Sequence, residues 1–251
     1  MLLFHRIFKF EKAKVAQMAE QRLNQRYAPG AAFPLQAAVE LDGRTWPAKV
    51  LNLSGNGVGL AVPGAGLAAK AGQDCVVTLT LGMHRQTIPG RVAHTRAHGR
   101  DLQAGIGLRF GDFLVQKAYL QLLQPVAIGQ SLHAVPADRV IQNETQVIKQ
   151  VFRGDYEAVL TVWLEKTFGT PLHSFEFQLH DYFCRADVKA GVLDAYAREE
   201  TESFKGKLTN PVFDAAGDLQ DEIRQLIRWI LPNLTPAVPD DVRAFLQRFA
   251  G

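Results

Sequence analysis

The chain has 251 residues, 47% of them hydrophobic and 21% charged, which excludes collagen-like, mucin-like and wholly disordered architectures. Lys and Arg outnumber Asp and Glu by 15 to 7 in residues 1–130, whereas the acids lead by 18 to 13 in residues 131–251, so two modules are expected, the first facing an anionic partner. No apolar run reaches the roughly 18 residues of a membrane-spanning helix, and the greasy start, broken by His5, Arg6 and Lys9, does not have the form of a signal peptide.

Residues 1–20 predict a short helix, which Tyr27-Ala28-Pro29-Gly30 breaks. From Phe33 to Phe110 the chain turns to short alternating runs. Leu35 to Leu41 reads as a strand, Asp42-Gly43 as a hairpin turn, and Trp46 to Leu53 as the returning strand. Pro47 marks an edge or a bulge near the start of that second strand. Val58 to Val62, Cys75 to Leu81, Gln86 to His94 and Leu102 to Phe110 complete six strands with no helix between them, the pattern of a small antiparallel barrel or sandwich. A helix follows from Phe113 to Leu123, with Pro125 as its expected stop.

The second module, residues 132–251, reads as an α+β domain. A helix is predicted over Ala137 to Phe152, then strands over Val159 to Leu164 and Ser174 to Leu179, with Phe175, Phe177 and Leu179 on one face. Val188 to Ala197 fits a strand or a helix equally. Leu219 to Leu231 carries an apolar stripe of Ile223, Leu226, Ile227 and Ile230, and Pro239 to Phe249 forms a last helix with two acids in its first turn. Cys75 and Cys184 are far apart and fit no metal or redox spacing, so they read as buried thiols in a reducing compartment.

Two short patterns carry chemistry. Arg22 and Arg26, four residues apart, project from one face if that segment is helical. Paired guanidinium groups offer planar donors that suit phosphate oxygens and the O6/N7 edge of guanine. Asn52 and Ser54 lie two apart at the end of a strand and so share a face, where they can accept from the N1–H and N2–H₂ edge of guanine. Gly57, just beyond, permits a positive φ and a close backbone approach. Read singly, each pattern fits an idle solvated surface better than a site.

Together, Arg-x-x-x-Arg before a barrel and Asn-x-Ser-x-x-Gly on its second strand resemble the PilZ domain, over residues 21–125. The closing run Gly105-Ile106-Gly107-Leu108-Arg109-Phe110, with a helix directly after it, is also similar to the end of that domain. The resemblance implies a six-stranded barrel with a trailing helix and a receptor for cyclic di-GMP. In it, Arg22 and Arg26 take phosphate and guanine edges, while Asn52, Ser54 and Gly57 read a guanine. Asn52 stands where many members have Asp, and Gln21 stands where the family tunes whether one ligand or a stacked pair binds.

No nucleophile elbow, P-loop or His-Glu-x-x-His occurs, so catalysis is not expected. His94 and His98 have i,i+4 spacing, but on a strand that spacing does not converge on a metal. The expected function is a cytoplasmic signalling adaptor with no metal or cofactor. Cyclic di-GMP rearranges its domains and alters contacts with a protein effector, made through the C-terminal domain or the N-terminal helix, in motility, biofilm or pilus control. The alternative is a ligand-independent scaffold in a motility or pilus complex. Nucleic-acid binding ranks last, because the arginines of the first half are not interleaved with aromatics.

Overall fold

In the computed structural model, described for residues 25–64, 69–166, 172–187, 191–198, 213–215, 217–247 and 249, the chain forms two units, Met1–Val126 and Ala127–Gly251. The helix expected over residues 1–20 lies outside the described residues, as do Gln21 and Arg22.

The first unit is a closed barrel of six strands: β1 (Leu35–Leu41), β2 (Arg44–Leu53), β3 (Gly57–Pro63), β4 (Asp74–Leu81), β5 (His84–His98) and β6 (Asp101–Leu108). Their order around the barrel is β1-β2-β3-β6-β5-β4, and every neighbouring pair is antiparallel. Alternation drives closure. On β4, Cys75, Val77, Leu79 and Leu81 point inward and are buried, while the residues between them are partly exposed. Asp42 and Gly43 both take positive φ, +50° and +73°, as a two-residue hairpin turn matched to strand twist requires.

Pro47 is accommodated where β2 has a neighbour on one side only, since pairing with β3 begins at Lys49. The β2 bulge falls later, between Val50 and Asn52. Strand β5 is longer than its apolar alternation indicates, because its first half pairs with β4 and its second half with β6.

The trailing helix α1 spans Phe113–Ser131 and is capped by the Asp112 carboxylate, which accepts from the Val115 amide at 2.9 Å. Its expected end at Pro125 is not observed. A proline inside a helix costs about 3 kcal/mol through one lost bond and a steric clash. Leu120, Leu122, Leu123, Val126 and Ile128 are all fully buried, and each such side chain contributes about 1.5–3 kcal/mol. Burial wins, and the helix runs through the point where the chain passes from one unit to the other.

The second unit is an antiparallel sheet in simple meander order: β7 (His133–Ala134), β8 (Val147–Arg153), β9 (Val159–Glu165), β10 (Leu172–Leu179), β11 (Tyr182–Asp187), β12 (Leu193–Arg198) and β13 (Phe213–Ala215). The helix predicted over Ala137 to Phe152 is replaced by a 3₁₀ turn, Ala137–Arg139, and by strand β8. The β-branched residues Val147, Ile148 and Val151 favour the strand. In addition the Gln142 side chain brackets the Lys149 backbone, accepting from its amide and donating to its carbonyl, both at 2.8 Å. That amide does for the backbone what a neighbouring strand would. Of the ambiguous stretch at Val188 to Ala197, the part from Leu193 onward is strand, β12 paired to β11, while residues 188–190 lie outside the described residues.

Phe175, Phe177 and Leu179 share the buried face of β10 as expected, with Leu160, Val162 and Cys184 on neighbouring strands. Helix α2 (Gln220–Ile230) packs on β11 and β12 through its buried stripe of Ile223, Leu226, Ile227 and Ile230, and α3 (Asp240–Gln247) follows.

Both cysteines are free and buried. Burial pushes the Cys184 thiol from 9.0 to about 12, and burial, assisted by Asp74, also raises Cys75. A thiol pKa raised by folding stabilises the fold fully below the unfolded value of about 9 and loses that contribution as pH climbs toward the folded value. The melting temperature is therefore expected to drop as pH rises above about 9, in a scan by circular dichroism. Iodoacetamide should leave both thiols of the native chain unlabelled near neutral pH and label them once it is unfolded.

Candidate ligand-binding cleft

The chain enters the barrel through one anchoring residue. Tyr27 is buried, and it exchanges two backbone hydrogen bonds with Leu53, each 2.8 Å, as an isolated antiparallel bridge at the end of β2. The bridge sets the position of Arg26, one residue before Tyr27, relative to Asn52, one residue before Leu53. Two residues separated in sequence by β1 and most of β2 thus share one cleft.

Beyond Leu53 the chain makes a tight turn. The Ser54 amide donates to the Gly57 carbonyl at 2.9 Å, and its hydroxyl lies 3.4 Å from the same oxygen. Gly57 does not take the positive φ anticipated for it; it opens β3. Its missing side chain matters for space, since a Cβ there would sit 3.1 Å from the Ile106 carbonyl and 3.2 Å from Ser54 Oγ. The turn is held from beneath by helix α1. The buried Tyr119 hydroxyl donates to the Ser54 carbonyl at 2.7 Å and lies 2.9 Å from that of Gly57, so one proton serves two oxygens. Burial raises the Tyr119 pKa well above the usual tyrosine range, which keeps that proton in place. The Leu108 amide closes the other side by donating to the Asn56 carbonyl at 2.8 Å.

Over this turn and the adjoining strands lies a cleft of about 530 Å³. Its floor is bare backbone. Gly57 pairs with Gly107 and Gly59 with Gly105 across β3 and β6, so neither central strand projects a side chain outward there. On the next strands out, Asn52 sits opposite Gly59 and His94 opposite Gly105. Each follows a bulge, between Val50 and Asn52 on β2 and between Val92 and His94 on β5. Bulges re-aim the side chains beside them. Here both turn inward: a Cβ on Gly59 would meet the Asn52 amide at 2.7 Å, and one on Gly105 would meet the His94 ring at 2.2 Å.

Of the residues singled out from sequence, Arg26, Asn52, Ser54 and Gly57 line this cleft together. Arg22 and Gln21 are outside the described residues. Sequence reading missed Asn56, His94, Arg96 and the glycines Gly59, Gly105 and Gly107, which line it as well. A signal was present: Gly57-Val58-Gly59 and Gly105-Ile106-Gly107 repeat glycine at the strand period of two, which strips one face of each strand. Among the described residues no acidic side chain lines the cleft, and Arg26 and Arg96 are exposed there without an ion pair. No three metal-ligating side chains gather anywhere among them. The arrangement suits an anion that also carries a flat hydrogen-bonding edge.

Residues 20–124 match the family model described as the PilZ domain, so the first unit carries a PilZ domain. Similar solved structures include the PilZ domain, with c-di-GMP, of YcgR from Escherichia coli, at 12% identity over 39% of this chain and 86% of that one, with a TM-score of 0.33. Another is the PlzA protein of Borreliella burgdorferi in complex with c-di-GMP, at 6% identity over 76% of this chain and 88% of that one, also with a TM-score of 0.33. A comparison with curated proteins found no match.

Proposed function

We propose that this protein is a receptor for cyclic di-GMP that acts as an adaptor rather than an enzyme. The observation that carries the reading is the meeting of Arg26 with Asn52, Ser54 and Gly57 on one cleft of a PilZ domain that no described acidic side chain lines. Arg26, with Arg22 supplied from the preceding segment, takes phosphate oxygens and a guanine edge by bidentate, charge-assisted hydrogen bonds. Asn52 accepts from the Watson–Crick edge of a guanine, and the Ser54–Gly57 turn presents backbone to it. Gln21 sets how many nucleotides are held. The cleft volume of about 530 Å³ lies within the range of about 300–1,000 Å³ usual for small-molecule sites.

The nucleotide would bridge the arginine segment to the barrel surface. A ligand that binds one arrangement of the chain better than another shifts the population toward it. The output is then an altered contact with a protein effector, through the second unit or the N-terminal segment, in the cytoplasm and in service of motility, biofilm or pilus control. No helix among the described residues is long and apolar enough to cross a membrane. Isothermal titration of the full chain with cyclic di-GMP tests the reading. Saturable heat at micromolar nucleotide is expected, and its absence at low salt would end it.

A further inference from the structure

We propose that His94 and Arg96, both on β5, form the far wall of the cleft, His94 stacking on a guanine base and Arg96 meeting a phosphate. The proposal rests on the cyclic di-GMP reading and adds two ligand-contacting residues to it, on a strand outside both sequence patterns.

The geometry points there from four sides. First, one row of the barrel reads Asn52, Gly59, Gly105, His94 across β2, β3, β6 and β5. Its two outer side chains lean over its two inner glycines. Second, both outer residues directly follow a bulge, so the inward aim is built on each flank independently. Third, glycine in the middle of a strand forfeits cross-strand side-chain packing. Such a loss at two paired positions is retained where another group must approach the backbone. Gly105 cannot carry a Cβ without expelling the imidazole, whose Cε1 would lie only 2.2 Å from it. Fourth, His94 is exposed and makes no hydrogen bond or ion pair among the described residues. Its ring nitrogens and outer face are therefore open to a bound ligand.

Arg96 stands two residues further along β5, opposite Gln103, and so shares the outward face of His94 at about 7 Å along the strand. That spacing is comparable with the separation of base and phosphate in a nucleotide. Arg96 lines the same cleft as Arg26. The two guanidinium groups reach it from opposite flanks, one beside β2 and one on β5, which matches a ligand with two phosphates.

The test is calorimetric titration with cyclic di-GMP of wild type, Arg26→Ala, His94→Ala, His94→Phe and Arg96→Ala, with melting temperature as the check on folding. His94→Ala is expected to weaken binding about tenfold, the usual effect of removing a stacking partner, while His94→Phe stays within about threefold of wild type. Arg96→Ala is expected to weaken binding about tenfold and to make it less sensitive to salt. If wild type binds and Arg26→Ala does not, while His94→Ala and Arg96→Ala both bind within about twofold of wild type, the far wall is refuted and the receptor reading stands. Loss of binding in His94→Phe equal to that in His94→Ala refutes stacking. No binding by wild type overturns the receptor reading and this proposal with it.

Discussion

Arg26→Ala is expected to weaken cyclic di-GMP binding by about a hundredfold, with no change in melting temperature. The guanidinium is exposed and forms no ion pair among the described residues, so its removal leaves no described buried group unpaired. The anchor that positions it, the Tyr27–Leu53 bridge, is made of backbone and is buried, and it survives the substitution. What would disappear is the proposed bidentate contact with the nucleotide. Each charge-assisted hydrogen bond contributes about 1.5–3 kcal/mol. Two of them in an open, wet cleft come to about 3 kcal/mol after competition from water, which is about a hundredfold in the dissociation constant. Arg26→Lys should fall between, since it keeps the charge and loses the fork. Calorimetry gives both constants directly, and an unchanged constant for the alanine variant would place the nucleotide elsewhere.

Tyr119→Phe is expected to have the largest effect on stability among the site variants. It removes one oxygen and keeps the ring, so packing against Phe110, whose centroid is 5.3 Å away, is retained. The Gly57 carbonyl keeps the Ser54 amide as a donor, but the Ser54 carbonyl loses its hydroxyl donor inside the fold. Leaving a buried acceptor without its donor costs about 1–3 kcal/mol, which lowers the melting temperature by about 5–10 °C for a unit of this size. The Ser54–Gly57 turn then relaxes, and affinity for cyclic di-GMP should fall as well, because the turn no longer holds its shape before the ligand arrives. A melting temperature equal to that of wild type would show that the hydroxyl carries no weight in holding the turn.

The barrel was legible because its strands alternate cleanly and its turns carry their own chemistry. Cys75, Val77, Leu79 and Leu81 can face only one side of a strand, and Asp42-Gly43 tolerates the positive φ that a tight hairpin demands. The fold departs from the local signals where context outweighs local preference. Pro125 is a helix breaker in water, yet it is carried inside α1 by the burial of the residues around it. Val147 to Phe152 is strand rather than the expected helix because it pairs with the next strand, β9, and has its Lys149 backbone bracketed by the Gln142 side chain, bonds that helical periodicity does not weigh.

The candidate site divides along the same line. Arg26, Asn52, Ser54 and Gly57 could be picked out from the chain because each sits in a short pattern whose residue types already suggest the chemistry. His94 and Arg96 could not: their place depends on which residues of β2, β3, β6 and β5 fall in one row, and on two bulges that a run of letters does not reveal. The same holds for Tyr119, which meets the Ser54 turn from 65 residues away. The strand periods, the hairpin turn and the kinds of group on offer to an anionic, base-bearing ligand are written in the chain alone, since these depend on steric and bonding rules acting between near neighbours. Which of those groups face one cleft emerges only on folding, because barrel closure sets the register between distant strands and burial overrules the local cost of a single proline.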